Sequence, residues 1–280
     1  MLDILLDSVI DCLKLLIYLF PTFLLIEYFE HRFDANKLMS RFTKHGPLLG
    51  GLLGALPQCG FSVSMTNLYL ARIISLGTLV AVYLSTSDEM LPVMLAHQVN
   101  IFSVLKILFI KVVIGIGAGY LIDKLLKDRG NGEVTDFCEQ EKCECETKGI
   151  WYAAFKHTAN TLIFIFAITL ILNGVLYYFS ADLIAKILLK GSLLSPVLAG
   201  MIGLIPNCGS SIALTELLLS GSISFGAAMA GLLANCGVGL LVLFRSSHDK
   251  KRNAMIVAII YLIGVTFGVL FEIFNFNIIL

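Results

Sequence analysis

Charge is scarce in this chain. Only 14% of its 280 residues are Asp, Glu, Lys or Arg, against 58% hydrophobic residues, and the mean hydropathy is +0.88. So little polar surface excludes a water-soluble globule and leaves an integral membrane protein. The 20 basic and 20 acidic side chains cancel, so there is no basic field to attract nucleic acid. Neither a P-loop nor a dinucleotide-binding glycine fingerprint is present, which argues against ATP hydrolysis within the chain. The histidines, His31, His45, His97, His157 and His248, lie near the ends of apolar runs and show no His-Glu-x-x-His or other paired ligand spacing. No enzyme class is indicated. Cysteines stand at 12, 59, 138, 143, 145, 208 and 236, and none of those in apolar stretches forms a Cys-x-x-Cys pair, so a disulfide framework is not indicated. The start of the chain carries Asp3, Asp7 and Asp11 in place of a basic leader region, which reads as a retained first span and not a cleaved signal peptide.

What the chain does have is a repeat. At an offset of 149 residues, positions 46–78 match 195–227 at 14 of 33 residues without a gap, too many for shared leucine-rich composition alone. Each copy interrupts a hydrophobic stretch with a Pro-x-Cys-Gly-x-Ser tip: Pro57, Gln58, Cys59, Gly60 and Ser62 in the first, Pro206, Asn207, Cys208, Gly209 and Ser211 in the second. A duplicated pair of apolar segments broken at corresponding points is the strongest sequence-level pointer to a transporter's substrate site.

Apolar runs of about 20 residues, long enough to cross a bilayer, occur at 8–29, 73–97, 100–122, 158–179, 222–244 and 254–275. The tips lie between shorter arms, 47–56 with 61–71 and 196–205 with 210–220. Each arm is about 15 Å long if helical, half a bilayer, which predicts re-entrant hairpins. Proline removes a backbone donor and glycine permits positive φ, so the tips free backbone groups to face a ligand. Basic residues swap places between the halves. Arg32, Lys37, Arg41 and Lys44 fill loop 31–47, whose counterpart 180–196 has only Lys186 and Lys190 with Asp182; loop 97–100 has none, whereas its counterpart carries Arg245, Lys250, Lys251 and Arg252. By the positive-inside rule the second repeat is inserted upside down, with both chain ends outside and the central loop inside. The expected fold is therefore an all-α integral membrane protein of two inverted five-element repeats, 1–123 and 151–280, joined by a cytoplasmic Cys/Glu-rich linker, 124–150. The broken hairpins are expected to meet near the midplane. Gly115/Gly264 and Gly119/Gly268 extend the repeat register into the last span of each half, where small residues allow close packing.

Several side chains are candidates for chemistry. Cys59 and Cys208 sit at equivalent tips, and thiolates favour soft ions such as zinc, copper(I) and thiophilic metalloids; the bland reading is small buried residues at a helix crossing. The run Ser85-Thr86-Ser87-Asp88-Glu89 is an acidic interruption of an apolar stretch, and carboxylates at membrane depth serve function by default; the alternative is a helix N-cap built on Ser85 to Asp88. Its counterpart, Ala234-Asn235-Cys236-Gly237, is polar but uncharged. One half would then hold the coupling ion or proton while the other shapes the pocket. Asn67 and Glu216 are equivalent positions about 12 Å beyond each tip, close to an interface, and Glu216 reads equally as a solvated side chain or a pathway carboxylate. In the linker, Cys138, Cys143 and Cys145 alternate with Glu139, Glu141, Glu144 and Glu146; they could capture a thiophilic ion, or simply solvate a variable loop.

The strings Gly54-Ala-Leu-Pro57-Gln-Cys59-Gly60-Phe-Ser62, Asn67-Leu-Tyr-Leu-Ala-Arg72, Gly77-Thr78, Leu84-Ser-Thr-Ser-Asp88-Glu89-Met-Leu-Pro92 and Ile205-Pro206-Asn-Cys208-Gly209 resemble those of the ten-span heavy-metal exporters, a family also labelled arsenic efflux permeases or manganese transporters. That resemblance implies a multi-pass permease of the bacterial inner membrane with two related halves, often with a ligand-rich loop between them.

The leading reading is secondary-active export of a heavy metal or metalloid, with Cys59, Cys208, Asp88 and Glu89 as metal ligands and Cys138, Cys143 and Cys145 as auxiliary loop ligands. No resident cofactor is expected beyond the transported ion and a coupling proton. The partners are the lipid bilayer and a small inorganic ion or small anion, with room for a homo-oligomer and no nucleic acid. Helix N-termini after the tips suit an anion instead, and a transmembrane thiol/disulfide conduit through Cys59 and Cys208 is the alternative from another class.

Overall fold

A computed structural model of the chain describes residues 45–126 without 56–58 and 88, residues 192–274 without 193 and 248, and parts of 16–24 and 151–170. Pro57, Gln58, Asp88, the linker cysteines and most of the expected spans 8–29 and 158–179 therefore lie outside the described residues, as does the side chain of Cys59. The described residues contain no strand. Their helices are α1 (Gly46–Gly54), α2 (Cys59–Leu70), α3 (Leu76–Ser85), α4 (Met90–Ala96), α5 (Ile101–Leu126), α6 (Ser195–Gly203), α7 (Cys208–Leu219), α8 (Phe225–Ala234), α9 (Gly239–Ser246) and α10 (Lys250–Ile273). A further apolar helix runs over Thr158–Ala167.

The helices follow the repeat. α1, α2 and α3 begin and end at the same positions as α6, α7 and α8 once the offset of 149 is applied. Identical local chemistry sets these limits. Ser75 and Ser224 each cap the next helix, accepting from the N–H of Thr78 at 3.1 Å and of Ala227 at 3.2 Å. α2 and α7 both end in a left-handed residue, Arg72 at φ 57° and Gly221 at φ 66°. In each case the N–H that follows the left-handed residue, of Ile73 and of Ser222, reaches back into the last turn, to Leu68 O and Leu217 O.

Close packing is built on the same pairs. A Cβ on Gly77 would lie 2.2 Å from the Gly119 carbonyl oxygen, and one on Gly226 would lie 2.5 Å from that of Gly268. Backbone therefore meets backbone where α3 packs on α5 and where α8 packs on α10. The halves also interlock, because α2 packs on α9 and α7 packs on α4.

Apolar side chains lie on the outside of the molecule as well as in its core. Leu52, Leu53, Phe102, Leu105, Phe109, Leu121, Met201 and Leu262 are exposed, whereas Ser62, Thr66, Asn67, Ser85, Thr86, Ser87, Lys111, Ser210, Thr215 and Asn235 are buried. An apolar exterior around a core that encloses these polar side chains among apolar ones suits lipid as solvent. Four stretches are long and apolar enough to span it: Leu76–Ala96, Ile101–Leu126, Phe225–Ser246 and Lys250–Ile273.

Two of those stretches are broken in the middle, where the hydropathy pattern predicts continuous spans. α3 stops at Ser85 and α4 starts at Met90; α8 stops at Ala234 and α9 starts at Gly239. Thr86 and Asn235 leave helical geometry with ψ of 129° and 109°, and Gly237 adopts φ 56°. Hydroxyls assist the first break by bonding backbone carbonyls: Ser85 to Ala81 O and Val82 O, Thr86 to Val82 O, Ser87 to Ser85 O.

Candidate substrate pathway at the helix breaks

The helix that leads into each tip ends against the helix that carries the break of its own half. In the first half a Cβ on Gly54, the last residue of α1, would lie 2.2 Å from Ser85 Oγ and 2.9 Å from the Val82 carbonyl. The absence of that Cβ lets the end of α1 touch the end of α3. In the second half Gly203 plays the same part against the Gly231 carbonyl, at 2.1 Å. The chain then turns through Pro206, and Asn207 opens α7 by accepting from Gly209 N–H at 3.3 Å. Ser210 donates to Asn207 O at 2.7 Å and accepts from Asn235 Nδ2 at 3.3 Å, which ties the second tip to the second break. Asn235 in turn accepts from Gly237 N–H at 2.8 Å.

The breaks of the two halves also meet. Gly239, the first residue of α9, packs against the Ser62 backbone and the Tyr83 ring; a Cβ there would lie 3.0 Å from Tyr83 Cε1. Behind it, Thr66 bonds Tyr83 Oη at 2.5 Å and donates to Ser62 O at 2.7 Å. Lys111, buried in mid-α5, donates from Nζ to Thr86 O at the first break and to Leu232 O of α8, the latter at 2.9 Å. The start of α7, the Ser62 backbone of α2, both breaks and one ammonium are thus joined by a chain of contacts.

Several candidates gather here. Ser62, Asn207, Ser211 and Asn235 are buried, as are the thiols of Cys208 and Cys236. Ser211 donates to Cys208 O at 2.8 Å, and Cys236 Sγ lies 3.5 Å from Ala234 O. Gly60 is buried in the first turn of α2. Glu89 is half-buried at the entry to α4 and its side chain makes no capping bond. Ser85 and Ser87 donate to carbonyls, and Asp88, the remaining member of the N-cap reading, lies outside the described residues.

Others are placed elsewhere. Glu216 is partly exposed and bonds His97 Nε2 at 2.9 Å, which favours the solvated reading. Asn67, its equivalent, is 1% exposed, with neither amide atom hydrogen-bonded among the described residues. Among the described residues no three His, Cys, Asp or Glu side chains form a metal-sized cluster. Lys111, Thr66 and Tyr83 were not legible as site residues. The signal for Lys111 was a charge near the middle of a 26-residue apolar helix whose other charges, Lys106, Asp123 and Lys124, lie closer to its ends.

Buried polar side chains where duplicated helices break are the arrangement expected of a carrier, and the family comparison agrees. The model of the family described as "Putative, 10TM heavy-metal exporter" matches residues 1–190. The chain belongs to this family. Neither a curated protein nor a solved structure matches it. The matched segment of the heavy-metal exporter covers α1 to α5; α6 to α10 lie beyond it and are tied to it by the internal repeat.

Proposed function

We propose that this exporter is a secondary-active carrier that moves a thiophilic metal or metalloid out of the cell by alternating access, with its two halves inserted in opposite orientations. The observation that carries the reading is the contact among the two helix breaks, the start of α7 and the Ser62 backbone of α2 beside buried polar side chains. Cys59, Cys208 and Cys236 supply soft thiol ligands at or beside these contacts. Asp88 and Glu89 carry the coupling ion or proton. Pro57, Gln58, Pro206 and Asn207 keep the tips open, and Cys138, Cys143 and Cys145 gather the ion from the cytoplasm.

Two contacts support the opposite orientation. Arg252, at the start of α10, donates to Tyr69 Oη near the end of α2 at 2.7 Å, and His97, after α4, bonds Glu216 of α7. The end of α2 and the loop at 97–100 lie at opposite ends of the α3–α4 stretch. Arg252 is the repeat equivalent of Ser103, beside that loop, yet it meets the end of α2. Glu216 is the equivalent of Asn67 on α2, yet it meets the loop. Contacts of this kind are what an inverted duplication would produce.

A second cargo reading rests on Lys111. A buried ammonium held at the helix breaks, on Thr86 O and Leu232 O, favours an anionic metalloid over a divalent cation. The experiment that tests export is sensitivity profiling of a deletion strain to arsenite, antimonite, zinc, copper and manganese, followed by uptake into inverted vesicles. Sensitivity to one of these and its protein-dependent accumulation are expected; unchanged sensitivity with no accumulation of any overturns the reading.

A further inference from the structure

Lys111 sits where α5 is closest to the first break. Gly115, one turn further on, brings α5 against α3: a Cβ there would lie 2.7 Å from Ala81 O. The Lys111 side chain is 1% exposed, although the outer face of the same helix carries exposed Phe102, Leu105, Phe109 and Val113. A charge in this setting is costly unless its partners are fixed.

Those partners are specific. Thr86 O and Leu232 O belong to the C-terminal ends of α3 and α8, where carbonyls lose their intrahelical N–H partners and carry the negative end of the helix dipole. One helix comes from each half. Freed carbonyls at the ends of broken helices are the groups with which carriers coordinate a coupling cation. Here an ammonium on a four-carbon stem takes that position. The repeat equivalent of Lys111 is Ile260, fully buried, so the equivalent position of the second half offers no such ammonium.

We propose that Lys111 is a tethered cation filling the seat of a coupling monovalent ion, so that the carrier works without sodium or potassium. In its part about flux this rests on the export reading; in its part about binding it does not. Shortening the side chain vacates the seat, and a small free cation then takes its place.

The test uses the full-length protein, wild type against Lys111→Ala and Lys111→Gln, with sodium, potassium or methylammonium as probes and choline as the oversized control. In Lys111→Ala, at least one small cation is expected to raise the melting temperature by roughly 3 °C or more, with no such shift in the wild type. Wild-type flux into inverted vesicles is expected to be equal in sodium, potassium and choline. Flux of Lys111→Ala in choline is expected to fall about tenfold and to recover in part with the stabilising cation. Lys111→Gln, which keeps a donor without the charge, is expected to stay impaired. If Lys111→Ala survives purification only with a small cation present, that too is the expected result. Lack of stabilisation of Lys111→Ala by any small cation, wild-type activity of Lys111→Gln, sodium- or potassium-dependent wild-type flux, or Lys111→Ala recovered under no condition overturns the proposal. Cation stabilisation of Lys111→Ala without wild-type flux of any cargo leaves the seat standing and removes the export reading.

Discussion

Gly203 meets Gly231 backbone to backbone: a Cβ on Gly203 would stand 2.1 Å from the Gly231 carbonyl oxygen. The contact holds α6 against α8 next to the second tip, and no side-chain motion relieves a clash with backbone. Gly203→Ala is therefore expected to destabilise the fold by about 1–3 kcal/mol. Gly117→Ala is the control, because nothing lies within 4 Å of a Cβ there. It should be neutral or gain up to about 1 kcal/mol from helix propensity. Thermal unfolding in detergent compares the two, and equal losses would refute the packing account.

Asp123 anchors the start of α3. Its carboxylate accepts from Ser75 Oγ at 2.7 Å and from Gly77 N–H at 2.8 Å, at the positive end of the helix. Asp123→Ala should cost about 1–2 kcal/mol, with Asp123→Asn intermediate because an amide oxygen can still accept one of these bonds. Denaturant unfolding of the three proteins gives the order.

Asn67 is a buried amide without a partner among the described residues. Such a group costs about 1–3 kcal/mol, whereas an apolar residue of similar size does not. Asn67→Leu is expected to raise the melting temperature and to lower export. A variant less stable than wild type would contradict the first part, and unchanged flux the second.

The thiols divide by position. Cys208 opens α7 at the second tip and Cys236 lies within the second break. For a thiophilic cargo, serine at either position should reduce transport about tenfold or more while leaving the fold near wild type. Vesicle uptake together with a melting curve separates the two effects. Loss of folding without selective loss of flux would make these cysteines packing residues.

How much of this was legible follows from what each residue answers to. Gly77, Gly203, Ser75 and Ser224 meet local backbone demands, so their recurrence at a fixed offset announced the duplicated helices and most of their limits. The left-handed turn after α2 was hidden, because Arg72 fills it where the second half uses Gly221. The breaks read as polar interruptions but not as helix ends, since hydropathy averaged over Leu76–Ala96 still looks like one span. Rise per residue gave Asn67 a depth but not a face, and α2 is enclosed by α9 and by residues of 158–167. Lys111 and the Thr66–Tyr83 bond depend on contacts between distant segments, which no periodicity encodes.

Opposite insertion of the two halves is the claim on which the pathway stands. Asn100 and Asp249 are repeat equivalents, both exposed, each just before its long helix. Placing a single cysteine at one or the other, in a background with the native cysteines replaced, and labelling intact cells with a membrane-impermeant maleimide tests it directly. The account predicts labelling from outside at position 100 and only after access to the cytoplasmic side at position 249; labelling of both from the same side would contradict it.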